Sequence, residues 1–580
     1  MFYNTFSFNY ETFSNQQYLL VFFLPFLILA LILALTAKQQ YRRNLFPGLI
    51  FIALVLSAPI FTDYYSFSNE YFFNLTIIGL ASYCIFLLNH NHFVDSIVAC
   101  FLILFLIQLY LGLDQAFSGG DQQGLSIKGS MKNSGVYAFY LVSNLPVFYF
   151  KCLRFQNTKI LGIKTYVTAI CSWSIFISVF VAVCYVIVLT QSRTATVCLI
   201  GTSFYILGQK YANEIKTSFA RISKTTFRAL VMVNIFGLIG FCVWLFRLKK
   251  LSSFGRIMGF DITIQHIREN FWLGTGIGRF TWYYPQWQAG YFANHSKPDL
   301  IYFISASESY IIFNEYLQLF ITVGFVGFTL CGYGLVCFFR LKTQKNSDLL
   351  IAIKGTVVAI LISGFTSYPL HVNIMMMMVG TYIALAFSFD IKHTENKIQQ
   401  PIYYKNAVIL ICIVFSCCAF RKGYFIYCAS IKWSSLRNSF GAKNLVEYKR
   451  IHPLLKNDGK FLIEYGNQLI SDSSNIFDAI ATLEKAKKIL ITRQGIEALT
   501  NAYRTAKKYE LAIINQRFLI NYLPNRFQPK YDLLQLYALN RDTVHLFELG
   551  NNILSMPVKI PSHSVAKIKQ NTIKMLKQHQ

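Results

Sequence analysis

Between Tyr166 and Thr190 the chain reads YVTAICSWSIFISVFVAVCYVIVLT, and it continues at once as Gln191-Ser192-Arg193-Thr194-Ala195. No charge interrupts the first part, which exceeds the ~20 residues an α-helix needs to cross a ~30 Å hydrocarbon layer. A segment in lipid must satisfy its own backbone polar groups, so the spanning element is a helix. The pattern recurs along most of the chain. Of its 580 residues 54% are hydrophobic and 17% aromatic, the mean hydropathy is +0.42, and only 14% are charged, against about 25% in a soluble average. The fold class that follows is all-α: a polytopic transmembrane helical bundle.

Twelve apolar blocks fit spans: Tyr18–Thr36, Leu45–Phe61, Tyr71–Leu88, Phe93–Leu113, Gly135–Phe150, Tyr166–Thr190, Thr194–Leu207, Ala229–Phe246, Tyr310–Phe339, Leu349–Phe365, Asn373–Phe387 and Asn406–Phe420. The seventh and twelfth are the shortest fits. The first follows a stretch without Lys or Arg, so it lacks the basic start of a cleavable signal peptide and is expected to stay in the protein. Lys and Arg of short loops are retained on the cytoplasmic side. They gather in alternate loops: Lys38, Arg42 and Arg43; Lys151, Arg154, Lys159 and Lys164; Lys210, Lys216, Arg221, Lys224 and Arg228; Arg340, Lys342 and Lys345; Lys392, Lys397 and Lys405. The opposite loops Thr62–Glu70 and Ser367–Val372 hold none. Both termini and a long loop over 247–309 are therefore expected outside the cytoplasm. Residues 1–420 form the expected membrane domain.

After Phe420 the composition becomes that of a soluble domain, with a linker expected over 421–458. From Arg421 onward 25 Lys and Arg face 11 Asp and Glu, half of the chain's net charge of +28. Tyr503 and Tyr537 are 34 apart, as are Leu499 and Leu533, while Ala479-Ile480 returns as Ala512-Ile513 after 33. That period with Pro524 at a closing position resembles tetratricopeptide repeats, about two and a half units between Gly459 and Pro557 within a helical domain over 459–580. Such units bury their apolar faces only against neighbours, so the array is expected to lean on the membrane domain or a partner.

Several function classes lose their footing here. Of thirteen Cys, twelve lie in or beside spans and only Cys428 enters the outer domain, so no disulfide framework is expected there. Neither CxxC nor HExxH occurs, which leaves metal binding without support. Gly274-Thr275-Gly276-Ile277-Gly278 lacks GxGxxG spacing and is read as a tight turn. No nucleic-acid module is present.

Candidate chemistry collects at the outward ends of helices. Arg193 sits between two spans with no loop to hold it, and a guanidinium there must snorkel or find a partner. The long loop offers Ser253-Phe254-Gly255-Arg256, then Arg279-Phe280-Thr281-Trp282-Tyr283-Tyr284-Pro285-Gln286-Trp287. Aromatic residues beside a bilayer are most often an interfacial belt. Ring faces beside guanidinium groups such as Arg279 are also what a sugar diphosphate requires. The ninth span opens with Glu308, Asn314, Glu315 and Tyr316, and on a helix from Tyr310 onward Glu308, Ile311 and Glu315 would share one side. Glu308 fits a helix cap. Glu315 lies deeper among Ile, Phe, Tyr and Leu, where an ionisable residue is a functional candidate.

Gln191-Ser192-Arg193-Thr194-Ala195, Gly255-Arg256, Gly274 to Phe280, and Phe313-Asn314-Glu315-Tyr316-Leu317-Gln318 before Gly324-Phe325-Val326-Gly327 together resemble the O-antigen ligase and polymerase family of lipid-linked oligosaccharide transferases. Gly129-Ser130-Met131-Lys132-Asn133 and Ser367-Tyr368-Pro369 fit as well, so the likeness covers about Lys128 to Leu385. The repeats are similar to those of Bacteroidetes-like members. The resemblance implies transfer of an undecaprenyl-diphosphate-linked glycan to a hydroxyl of lipid A core or protein, at the outer face of the inner membrane, with no cofactor. It implies Arg193 and Arg256 as the diphosphate grip, with Asn314, Arg279, Trp282, Tyr316, Glu308 and His295 as substrate-binding candidates. Many relatives carry a His-Asn pair where this chain has Phe313-Asn314, so the base must come from elsewhere. Glu315 is the favoured candidate, with Glu308 and His295 behind it. A polymerase of glycan repeat units is the near alternative, and a transporter of lipid-linked sugars a more distant one.

Overall fold

The computed structural model describes residues 91–118, 127–156, 165–214, 250–295, 298–343, 346–389, 427–436 and 442–579, single positions within them excepted, with isolated positions elsewhere. Among the described residues the regular structure is helical. Five helices are long and apolar enough to cross a membrane: Val94–Ser118, Ser134–Arg154, Val167–Thr190, Glu315–Arg340 and Ser347–Gly364; the shorter Asn373–Phe389 is apolar too. They overlap the expected fourth, fifth, sixth, ninth, tenth and eleventh spans. The expected first, second, third, eighth and twelfth spans fall outside the continuously described residues. The seventh corresponds to the helix Arg193–Lys210.

The helix Ser134–Gln156 is apolar nearly all round and occupies the centre of the bundle. Tyr137, Phe139, Tyr140, Leu141 and Val142 are fully buried, as such a composition requires. It packs against the helices Thr165–Thr190, Arg193–Lys210 and Ser347–Gly364. Thr356 donates to the Ser143 carbonyl at 2.8 Å, a polar tie between two spans. Thr165–Thr190 instead exposes Ile170, Ile175, Val181 and Val188, an apolar outer rim. Lys354, buried in the first half of Ser347–Gly364, donates to the Phe339 and Leu341 carbonyls at 2.8 and 2.6 Å, supplying the last turn of Glu315–Arg340 with the partners its carbonyls lack.

Two features of the ninth span differ from the sequence reading. The helix starts at Glu315 rather than Tyr310, because Phe313 takes φ 58° and Asn314 caps the first turn by accepting from Leu317 N at 2.9 Å. Gln318 completes the turn by accepting from Ile312 N at 3.1 Å. Glu308 and Ile311 therefore do not share a helix face with Glu315. Further along, Gly324 breaks the helix with φ 65°. A break orphans carbonyls above it and N–H groups below it, and the 271–276 segment takes up both sets. Thr275 N and Gly276 N donate to the Ile321 and Thr322 carbonyls at 2.8 and 2.9 Å, while Phe325 N and Val326 N donate to the Phe271 and Trp272 carbonyls at 2.8 and 3.2 Å. Glycine is needed on both sides, since a Cβ on Gly274 would strike the Thr322 backbone and one on Gly324 the Trp272 backbone.

The C-terminal region is a helical array. Helix pairs begin at Gly459, Arg493 and Phe527 and end with Thr543–Ser555, followed by His563–Gln578. Three pairs are present where about two and a half units were expected. The residues that carried the period, Leu499, Leu533, Ala479 and Ala512, are all buried at the joints between helices. The stretch expected as a linker contains the helix Ala442–Leu455, whose Tyr448 stacks on Phe461 and Tyr465 at 5.7 and 6.0 Å. The array docks on the 280–309 segment. Asn525 donates to the Ile304 and Ala306 carbonyls at 2.9 and 2.8 Å, and Gln288 to the Tyr522 carbonyl at 2.6 Å. Ala289 packs with Ile491, Ile496, Leu519 and Tyr522 beneath them. The long loop and the helical array therefore pack as neighbours.

Candidate functional site

Five chain segments distant in sequence meet at the mouth of the bundle. Gln191 at φ 48° reverses the chain after Thr190, and Ser192 accepts from Ala195 N at 3.3 Å to start the next helix. Arg193 is thereby the first helical residue, and it donates to Ser253 Oγ at 3.1 Å. One turn after Ser253 on the helix Lys250–Gln265, Arg256 donates to the Thr366 carbonyl at 2.7 Å. Its guanidinium lies 5.0 Å from the centre of the Phe313 ring. Thr194 and Thr366 share a hydrogen bond of 2.9 Å, and Asn314 donates to the Phe365 carbonyl at 3.2 Å. Phe313 meets Tyr368 edge-on at 5.3 Å, and Asn133 donates to the Tyr368 hydroxyl at 3.2 Å.

Two guanidinium groups share this cluster. Burial, and then the neighbouring Arg193 charge, push the Arg256 guanidinium down to about 10, with the Tyr368 phenol acting the other way. Ser253 and Thr366 supply dipoles and Phe313 a ring face. The N-termini of Arg193–Lys210 and Glu315–Arg340 both open toward 365–370, adding the positive ends of two helix dipoles. Phe313 and Gln191 hold left-handed backbone conformations that bulky residues adopt at a cost of about 1–2 kcal/mol. Both strained residues flank the cationic pair, a placement typical of sites held in a set geometry.

Glu315 lies behind the cluster, buried, with its carboxylate accepting from Leu370 N at 2.7 Å and from His371 Nδ1 at 3.2 Å. The Leu370 bond ties it to the short 3-10 turn Pro369–His371. Gly364 leaves room for it: a Cβ there would stand 3.3 Å from the Glu315 Cβ. His371, itself buried, escaped the sequence reading. The available signal was its position two residues after the Tyr368-Pro369 motif, and spacing alone gave no reason to pair it with Glu315.

The remaining candidates separate from this group. Tyr316 donates to the Leu361 carbonyl at 2.7 Å and packs on Phe365 at 4.4 Å, so its hydroxyl is committed within the bundle. Glu308 does act on a helix N-terminus, but that of Arg493–Thr505: it accepts from Arg493 N at 2.7 Å. Arg279 lies over Trp282 and Tyr283, 5.1 and 5.3 Å from their ring centres. Trp282 and His295 line a cavity of about 510 Å³ with His266, Gln286, Tyr291 and Asn294. His295 stacks on Tyr291 at 4.3 Å and its Nδ1 is 2.8 Å from the Tyr291 carbonyl. Among the described residues no group of three or more His, Cys, Asp or Glu is placed to hold a metal.

Fold and site together describe a helical protein with several membrane-length apolar helices and a partly buried cationic pair where they open. A scan against protein-family models and a search of curated proteins each return no match.

Proposed function

We propose that the protein is a glycosyltransferase that moves a glycan from an undecaprenyl-diphosphate-linked donor to a hydroxyl of lipid A core or of a protein, at the outer face of a bacterial inner membrane. The observation that carries this reading is the pair Arg193 and Arg256, drawn from separate helices and brought close enough for their charges to act on each other. Two forked guanidinium groups match the oxygens of a diphosphate. As the anomeric C–O bond breaks, negative charge grows on the departing diphosphate, and donors already in place stabilise it without reorganisation. The acceptor hydroxyl must lose its proton as it attacks. Glu315 with His371 beside it is the proton-accepting unit we assign, the carboxylate orienting the imidazole through Nδ1. His295 and Glu308, each engaged elsewhere, are set aside.

A carrier of lipid-linked sugars would make use of a broken span. The break at Gly324 argues against that use, because its Ile321 and Thr322 carbonyls already accept from Thr275 and Gly276. The outward placement of the site rests on the Lys and Arg of the opposite loops.

The test uses the full chain in nanodiscs, with the host's own lipid-linked glycan and either lipid A core or acceptor protein, without nucleotide. The expected result is glycan on one acceptor and release of an equal amount of undecaprenyl diphosphate. Elongation of donor on donor would move the protein to the polymerases. Consumption of no donor with any acceptor would overturn the reading.

A further inference from the structure

The turn that staples the Gly324 break carries an apolar tip. Trp272 is 65% and Leu273 60% exposed, with Phe271 beside them. Phe271 stacks on Phe325 at 5.5 Å and Trp272 meets the same ring edge-on at 5.8 Å. Phe325 and Val326 are themselves exposed, and they belong to the membrane-length helix Glu315–Arg340, most of whose surface is open to its surroundings. The tip therefore continues the lipid-facing surface of a span without a gap.

We propose that Phe271–Thr275 dips into the acyl layer of the bilayer, with Phe271, Trp272 and Leu273 in contact with lipid chains. Helix geometry sets the depth. From Gly324 to Arg340 the helix rises about 24 Å at 1.5 Å per residue, against a ~30 Å hydrocarbon core. With Arg340 at the far interface, the break lies roughly 6 Å inside the near boundary. The helix above it, from Glu315 to Val323, then emerges into the headgroup region, where water and a charged substrate can reach the cationic pair. Arg268 and Glu269, both exposed just before the tip, fall at headgroup level, where long side chains reach out to water. Backbone outside regular helix is tolerated in lipid only where protein satisfies it, and the four hydrogen bonds at 321–326 do so. An ordinary loop at that depth would leave its peptide groups bare.

The full chain in nanodiscs gives the test, read by tryptophan emission. Lipids brominated near the headgroup end of their chains should quench a component that Trp272→Phe removes and Leu273→Trp enlarges, and lipids brominated near the chain ends should quench it less. Aqueous iodide should leave that component unchanged. Quenching by iodide without quenching by brominated lipid would place the tip in water and overturn the proposal. Quenching by neither would place it under another protein surface, which overturns it equally. Leu273→Trp reads the same position independently should Trp272→Phe disturb folding.

Discussion

Arg256 offers the sharpest perturbation of the proposed site. Its bond to the Thr366 carbonyl is 2.7 Å and its guanidinium stands 5.0 Å from the Phe313 ring centre. A hydrogen bond from a charged group contributes about 1.5–3 kcal/mol, and the ring contact about 0.5–2 kcal/mol. Lysine keeps the charge and can keep one of these contacts. It cannot offer a second, parallel donor to a phosphate oxygen. Loss of one preorganised donor to a developing oxyanion costs about 3–4 kcal/mol, a fall of roughly 10²–10³ in turnover. Arg256→Lys should therefore insert normally and transfer glycan at that reduced rate. Arg256→Met separates the site from the fold. It removes a cation that burial and Arg193 both oppose, so melting should shift by less than about 3 °C while transfer is lost. The readouts are glycan transfer by purified protein and thermal unfolding in the same nanodiscs. Parental transfer by Arg256→Lys would refute the diphosphate grip. Joint loss of fold and transfer in Arg256→Met would assign Arg256 to the scaffold.

Three further outcomes are expected. Glu315→Gln preserves size and the acceptor for Leu370 N but not the charge that orients His371, so turnover should fall about 10²-fold or more with donor binding intact; an unchanged rate would return Glu315 to a purely structural role. Burial raises the Asp458 carboxyl from its ordinary 3.8 to about 6, against the pull of its hydrogen bonds from Phe461 and Lys460; the folded state then holds a proton that the unfolded state has released, so stability of the 459–489 helices should fall as pH rises from about 4 to about 6, and hydrogen exchange should find that slope absent in Asp458→Asn. Alkaline phosphatase fused after Lys422 should be active, whereas an inactive fusion there would reverse the side assigned to the loop, the array and the site.

What could be read from the sequence followed chemistry that acts locally. Apolar length alone located six helices of the bundle, since a span answers to lipid rather than to a distant partner. The 34-residue recurrence of Leu499 and Leu533 located the array because each repeat meets its neighbour in the same way. Arg193 was singled out as a charge in a costly place and Arg256 through the loop motif and the resemblance, and the fold brings their charges near each other. The start of the ninth span was misplaced because Phe313 adopts a conformation that its residue type disfavours, imposed by packing against Arg256 and Tyr368. Glu308 looked like a cap for the following helix. The helix whose N-terminus it serves begins at Arg493, and no local pattern announces a partner that far along the chain. His371 stayed hidden for the same reason: its role comes from Glu315, across a contact that only the fold creates.

The seating of the helical array on the 304–309 segment also imposes a timetable on the protein's manufacture. A chain grows from its N-terminus, so Arg193, Arg256 and Glu315 are all in place in the membrane before Asn525 has been made. During that interval the Ile304 and Ala306 carbonyls lack the amide that later holds them, and Glu308 lacks the Arg493 backbone it serves. The segment leading into Phe313 and Asn314 is thus set last, by the final part of the product. A ribosome that stops before Arg493 leaves the 304–308 segment without these partners.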